Sequence, residues 1–243
     1  MSELVAPGRA STVIVARPAA DGGFEVLMTR RSPHLKVLAG FLVFPGGAVE
    51  EDDWSDRMLA RCRGLSPSEA QQILAATMTP EQAMGHWVAA IRELFEETGI
   101  HFFVRQRESL EANFDSRGER LAQSREALWR RRLALAELLE SEQLFCDVGR
   151  LTYLFHRITP NHHPVRFDTR FYVGSLPQGQ TPLDFSEEVA EIIWLTPQDA
   201  LKLSESGGLP MMPPTVIALR SLAELGSWEN FLSTYRLDRK CHQ

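Results

Sequence analysis

Three glutamates, Glu93, Glu96 and Glu97, stand at i, i+3 and i+4 directly after Arg92 in the run RELFEETGI. On a helix that spacing places them within roughly a 100° arc. Carboxylates crowded onto one face repel: at about 4 Å a like-charge pair costs roughly 4 kcal/mol at an effective dielectric of 20. Arg92 borders the arc and offsets part of that repulsion, and a divalent cation would offset more. Magnesium and manganese are hard ions that take carboxylate oxygens and keep waters for a phosphate-bearing substrate. An ordinary amphipathic helix with a solvated acidic face carries the same pattern, so the surrounding sequence has to decide.

The element that must carry these residues spans 79–100. Thr79 suits a helix cap, Pro80 the first helical position, and Gln82 completes a T-x-x-Q capping box. Gly99 suits the left-handed residue that closes a helix. Met84, Trp87, Val88, Ile91, Leu94 and Phe95 fall opposite the carboxylates, so one face is expected to be buried.

Upstream, TVIVA at 12–16 and FEVLMT at 24–29 read as strands joined by an Asp21-Gly22-Gly23 turn. The apolar run Phe41-Leu42-Val43-Phe44 is stopped by Pro45-Gly46-Gly47, where backbone can approach a ligand closely, although a plain tight turn looks the same. A short helix is expected over 52–63, closed by Gly64. Ser66-Pro67-Ser68-Glu69 is a capping box that opens another through about Met78. HFFV at 101–104 is strand-like, and SREALWRRRLALAELLES is strongly helical. Its Arg130-Arg131-Arg132 reads as the flank of an amphipathic helix, because the next turn is rich in Leu and Glu. Strands are expected at 151–159, 166–176 and 189–195, and helices from Thr196, over 214–225 and over 228–235. The His162-His163 loop lacks a third soft ligand at metal-site spacing. Strands on both sides of the central helix, with helices outside a mixed sheet, give an α+β fold. It reads as one domain over 1–243 with helical insertions at about 51–78 and 105–145.

Composition narrows the chemistry. The 243 residues carry 44% hydrophobic and 24% charged side chains, ordinary for a soluble globular protein. A net charge of −6 offers no footprint for nucleic acid or an anionic membrane. A polyanionic substrate would therefore be neutralised mostly by metal. Cys62, Cys146 and Cys241 are odd in number and lack C-x-x-C spacing, which argues against a disulfide framework or a structural zinc. The sequence shows no signal segment or membrane-length apolar run, and ends in neither a peroxisomal nor a prenylation signal. A cytoplasmic location is the expectation, and a homodimer is left open.

Gly47 together with Arg92-Glu93-Leu94-Phe95-Glu96-Glu97-Thr98-Gly99-Ile100 resembles the Nudix box, G-x5-E-x7-R-E-U-x-E-E-x-G-U, where U is a bulky aliphatic residue. The second half matches at every specified position. The first half is interrupted: an uninterrupted box would place the arginine at 61, so about 31 residues are inserted. Counted from the front, the first box glutamate falls on Asp53. Counted back from Arg92, it falls on Met84. A second pattern, L-L-T-x-R-[SA]-x3-R-x3-G-x3-F-P-G-G, resembles that of coenzyme A diphosphatases of the Nudix superfamily. Leu27-Met28-Thr29-Arg30-Arg31-Ser32, Lys36, Gly40 and Phe44-Pro45-Gly46-Gly47 keep its spacing, with Met28 for Leu and Lys36 for Arg. The interrupted box and the DTRFY run at 168–172 look like the branch with a long insertion inside the box.

The resemblance implies a Nudix-like α/β/α sandwich and hydrolysis of a nucleoside diphosphate derivative with Mg2+ or Mn2+. Coenzyme A or acyl-CoA is the best match, and ADP-ribose or NADH are alternatives. Glu93, Glu96 and Glu97, with backbone at Gly46 or Gly47, would hold metal. Arg92 would keep the glutamates in place, and Arg31, Lys36 and Gly46 would meet substrate. The general base is expected to be Glu93 or an acid among Glu187, Glu188 and Glu191. A non-catalytic nucleotide-binding module of the same fold is the rival, prompted by the broken first half of the box.

Overall fold

The computed structural model describes residues 6–75, 77–105, 114–183 and 188–237, with side chains from 120 onward in the helix that begins at 114. In chain order, strands β1 (Gly8–Pro18), β2 (Phe24–Arg31), β3 (Leu42–Val43) and β4 (Gly46–Ala48) lead into a 3-10 turn, Glu51–Trp54. Then come α1 (Asp56–Leu59), β5 (Cys62–Arg63), α2 (Pro67–Leu74), α3 (Pro80–Thr98), β6 (Phe103–Arg105), α4 (Phe114–Trp129), α5 (Leu135–Ser141) and β7 (Leu144–Asp147). Strands β8 (Thr152–Ile158), β9 (Phe167–Ser175) and β10 (Val189–Leu195) precede α6 (Pro197–Glu205), α7 (Pro213–Ala223) and α8 (Trp228–Tyr235).

The main sheet runs β10-β2-β1-β9-β8, with β3 against β2 and β4 against β1. Only the central β1–β9 pairing is parallel, from Gly8↔Phe167 to Ala16↔Ser175; the others are antiparallel. A central strand buried on both sides should be continuously apolar, and Val13-Ile14-Val15-Ala16 is fully buried. The pleat sends alternate residues to opposite layers. Val13, Val15 and Leu27 pack with Trp87, Ile91, Leu94 and Phe95 of α3. Ile14, Ala16, Val26 and Met28 pack with Ala218, Leu219 and Leu222 of α7 and Phe231 of α8. Helices therefore cover both faces of a mixed sheet, the expected α+β sandwich.

Helix α3 forms for most of the reasons legible in its sequence, although of the expected capping box only the Thr79 half is present. Thr79 accepts a bond from the Gln82 N–H at 3.3 Å, Pro80 opens the first turn, and Gly99 closes the last with φ 75°. Its apolar stripe is buried throughout. One polar contact also anchors it: the Ser11 hydroxyl and His86 Nδ1 lie 3.0 Å apart beneath the sheet.

The insertions differ from expectation. The helix anticipated over 52–63 breaks into the 3-10 turn, α1 and a strand, because Ser55 caps α1 and Cys62 pairs with a distant segment. Helix α2 stops at Leu74, where Ala75 turns left-handed at φ 46°, short of Met78. The helical run after residue 124 divides at Arg131, φ 54°, into α4 and α5. A second sheet, β5-β7-β6, was not anticipated; β7 joins the two insertions, with Cys62↔Cys146 in parallel register and Phe103↔Cys146 antiparallel. Arg57 of α1 adds an ion pair to Glu140 of α5 at 2.6 Å. Cys62 and Cys146 are free thiols; burial pushes Cys62 up to about 12 and Cys146 well above its ordinary value. Cys241 lies outside the described residues. No described helix is long and apolar enough to cross a membrane.

Candidate active site

The last two turns of α3 face the β4 turn across a cavity of about 750 Å³. Gly47 is required by what lies opposite it: a Cβ there would overlap the Glu93 carboxyl group. Gly46 is equally confined, because a Cβ would press on Thr12 Cα at 2.7 Å. The pair of glycines thus lets the turn lie flat against both β1 and the acid-bearing helix.

Arg92 organises the carboxylates. Its Nε donates to Asp53 Oδ1 at 2.8 Å and its Nη2 to Asp53 Oδ2 at 3.0 Å. Nη2 also donates to the Ala48 carbonyl at 2.8 Å, and Nη1 to Glu93 Oε1 at 2.9 Å and Glu96 Oε1 at 3.3 Å. Asp53 Oδ2 in turn accepts from the Glu50 N–H at 2.8 Å. Arg92 and Asp53 are both buried. Burial opposes the arginine's charge, yet Asp53, Glu93 and Glu96 outweigh it and hold the group well above its usual range.

The supporting carboxylate of the box is therefore Asp53. Met84, the position reached by counting back, is fully buried in the apolar core. Asp53 and Arg92 are 39 positions apart where the uninterrupted motif has eight, so the whole insertion follows Asp53 and leaves its link to the glycine turn intact.

The acidic face is not solvated. Glu97 is 4% exposed, and burial, reinforced by the neighbouring Glu93, raises its pKa well above the ordinary value; Arg31 and a hydrogen bond from the Gly46 backbone work the other way. Burial raises Glu93 to about 7 despite Arg92, and raises Glu96. Among the described residues no three His, Cys, Asp or Glu side chains already close around a common point. Glu93 and Glu96 each turn Oε1 to Arg92, whereas Glu97 Oε2 is buried without a hydrogen-bond partner. A buried, orphaned carboxylate oxygen is expensive unless something pairs with it. Oxygen donors of this kind fit a hard divalent cation.

The cavity brings together Arg31, Gly46, Gly47, Arg92, Glu93, Glu96 and Glu97. Lys36 is exposed and is not among the lining residues. Of the three general-base alternatives near β10, Glu188 lines the cavity, Glu191 is exposed and 3.9 Å from Arg30, and Glu187 lies outside the described residues. The DTRFY strand contributes alternately: Thr169 and Phe171 line the cavity, while Tyr172 packs on Trp87 with ring centroids 4.8 Å apart. Leu128, Trp129 and Arg132 at the end of α4 and just beyond it form another wall. The sequence reading missed Arg125, whose guanidinium binds the Glu96 and Glu97 carbonyls. Its signal was an arginine between Leu121 and Leu128 at i+4 and i+7, on the buried face of α4.

A glycine turn held against an R-E-L-F-E-E helix, beside a mixed sheet covered by helices, defines a Nudix hydrolase. Residues 4–222 match the family model of the NUDT19 Nudix domain, so the chain belongs to that family. It is 25% identical over 227 residues to the acyl-coenzyme A diphosphatase NUDT19 of Xenopus laevis, covering 82% of this chain and 60% of that protein. The Gallus gallus protein of the same name is 28% identical over 268 residues, 96% of this chain and 69% of the relative. The chain thus spans about three-fifths to two-thirds of the length of these relatives. A crystal structure of a Nudix hydrolase from Alicyclobacillus acidocaldarius superposes with TM-score 0.75 at 27% identity, covering 95% of this chain and 97% of the other.

Proposed function

We propose that this chain hydrolyses the diphosphate of coenzyme A or acyl-CoA to 3′,5′-ADP and (acyl-)4′-phosphopantetheine, using Mg2+ or Mn2+. The observation that carries the reading is Glu97, buried beside Glu93 with one oxygen unpaired, on the wall of a cavity bordered by the F-P-G-G turn. The L-M-T-x-R-S run before that turn and the printed names of the relatives favour the CoA substrate.

Glu93, Glu96 and Glu97, with backbone at Gly47, would hold the cation. When bound, it would neutralise phosphate charge and acidify the attacking water. Arg92 anchors Glu93 and Glu96 and is itself fixed by Asp53, so the carboxylates enter the site from defined positions. Water adds across one P–O–P linkage: its oxygen bonds to phosphorus, the bridging oxygen leaves with the other product, and a carboxylate takes the proton. Glu93 and Glu188, which both line the cavity, would serve for that last task. Arg31 lies close enough to influence Glu97 electrostatically and suits a substrate phosphate.

The test is product analysis with CoA, acyl-CoA, ADP-ribose and NADH under Mg2+ and Mn2+. Release of 3′,5′-ADP from CoA species is the expected result. Turnover of ADP-ribose or NADH with none of CoA would reject the substrate. Asp53 supplies the carboxylate whose loss motivated the binding-only alternative, so no observation now favours that alternative.

A further inference from the structure

Helix α4 belongs to the second insertion, yet it grips the acid-bearing turn of α3. Arg125 is 9% exposed, and its Nε donates to the Glu96 carbonyl at 2.8 Å while Nη2 donates to the Glu97 carbonyl at 2.9 Å. These carbonyls lie in the last turn of α3, where oxygens have no later helical N–H to accept from. The same two residues bear two of the three carboxylates, at the end of the helix where the macrodipole is negative. Mutual repulsion and the dipole therefore both loosen this turn. Arg125 counters them through the backbone, and Glu97 Oε2 stays without a hydrogen-bond partner. One planar guanidinium spanning two successive carbonyls fixes their direction as well as their position, which a lysine ammonium does not do. Leu121 and Leu128, about one turn to either side of Arg125, belong to the core that also contains Leu94 and Phe95 of α3.

We propose that Arg125 is a positioning residue for the divalent-cation site and that, through it, the second insertion sets the affinity for the ion. The inference rests on the metal-binding role proposed above for Glu96 and Glu97. Arg125 is a positioning group because it acts through the peptide backbone of two ligands. Linkage is reciprocal, so ion binding in turn tightens α4 against α3.

The experiment compares the full chain with Arg125→Lys, which keeps the charge and loses the fork, and with Leu222→Ala, which weakens the α7 packing on the other face of the sheet. Mn2+ affinity is read directly from the EPR signal of free Mn2+, and hydrogen exchange of residues 120–129 and 90–100 is followed with and without Mn2+. The Mn2+ Kd of Arg125→Lys is expected to rise about tenfold, the scale of a lost supporting hydrogen bond in a metal site. Leu222→Ala lowers Tm but leaves the Kd unchanged. Mn2+ slows exchange in both segments of the native chain, and only in 90–100 of Arg125→Lys. A Kd within twofold of native in Arg125→Lys, or an equal loss in Leu222→Ala, overturns the proposal. So does native α4 exchange that ignores Mn2+. If the native chain binds no Mn2+, the metal reading fails and this inference falls with it, an outcome distinct from failure of the inference alone.

Discussion

Asp53 and Arg92 face each other as a two-point fork, 2.8 and 3.0 Å long, closed across 39 positions of sequence. Breaking a buried pair by removing one partner costs about 3–5 kcal/mol, because the other charge stays buried and unmatched. Asp53→Asn retains the shape and loses the charge. It is expected to lower stability by about that amount and to reduce turnover, since Glu93 and Glu96 depend on the same guanidinium. Urea unfolding checks the first and product release the second. Native stability in the variant would show that the fork does not hold the site.

Glu96→Gln and Glu97→Gln separate stability from activity. Each should lower metal-dependent product release by about 10²-fold or more, the scale of losing a principal electrostatic group. Glu97 is buried and charged only at a cost, so Glu97→Gln should raise Tm in EDTA while activity falls. Unchanged turnover in both variants would sink the metal assignment.

Gly47→Ala probes the contact between the turn and α3. The added Cβ would collide with the Glu93 carboxyl group, so either the turn or the glutamate must move. The expected outcome is roughly a tenfold or greater drop in kcat/KM, with a circular dichroism spectrum like that of the native chain. Native kinetics would mean that Glu93 has room it does not use here.

The pH dependence has a defined sign. Glu93 titrates near 7 in the fold against 4.5 for an ordinary glutamate, so between those values the folded chain holds more protons than the unfolded one. Its contribution to stability is present below about 4.5 and is lost as pH rises through 7. In EDTA, Tm should therefore fall across that window by more in the native chain than in Glu93→Gln. Equal slopes would remove Glu93 as the source.

Arg31 and Lys36 should part company. Arg31 lines the cavity, whereas Lys36 is exposed and outside its wall. Arg31→Gln should raise KM for the nucleotide several-fold, and Lys36→Gln should leave it within about twofold, as is usual for surface sites. Steady-state titrations distinguish the two.

The central strands, α3 with its caps, and the carboxylate cluster were legible because each rests on local rules: period two, period 3.6, capping, and i, i+4 spacing. Gly47 was legible through its motif. Asp53 was ambiguous because spacing along the chain cannot say on which side of a carboxylate an insertion falls; only the fold, which puts the insertion after it, decides. Of the β5-β7-β6 sheet only β6 was legible, as HFFV at 101–104; its pairing was not, for a related reason. Cys62-Arg63 is too short to carry a periodic signal, and its identity as a strand comes wholly from its partner at Cys146. Arg125 was hidden in a charged helix whose polar residues mostly face solvent.

That small sheet also sets an order of events during synthesis. The first insertion contains β5, but its partner β7 is encoded more than 80 residues later, and Arg57 waits equally long for Glu137 and Glu140. A ribosome thus releases the whole of α3, with its buried acids, before either insertion can be sealed. The nascent chain carries a complete acidic helix whose cover from the insertions is finished only when residue 147 emerges, so the two insertions mature as one folding unit.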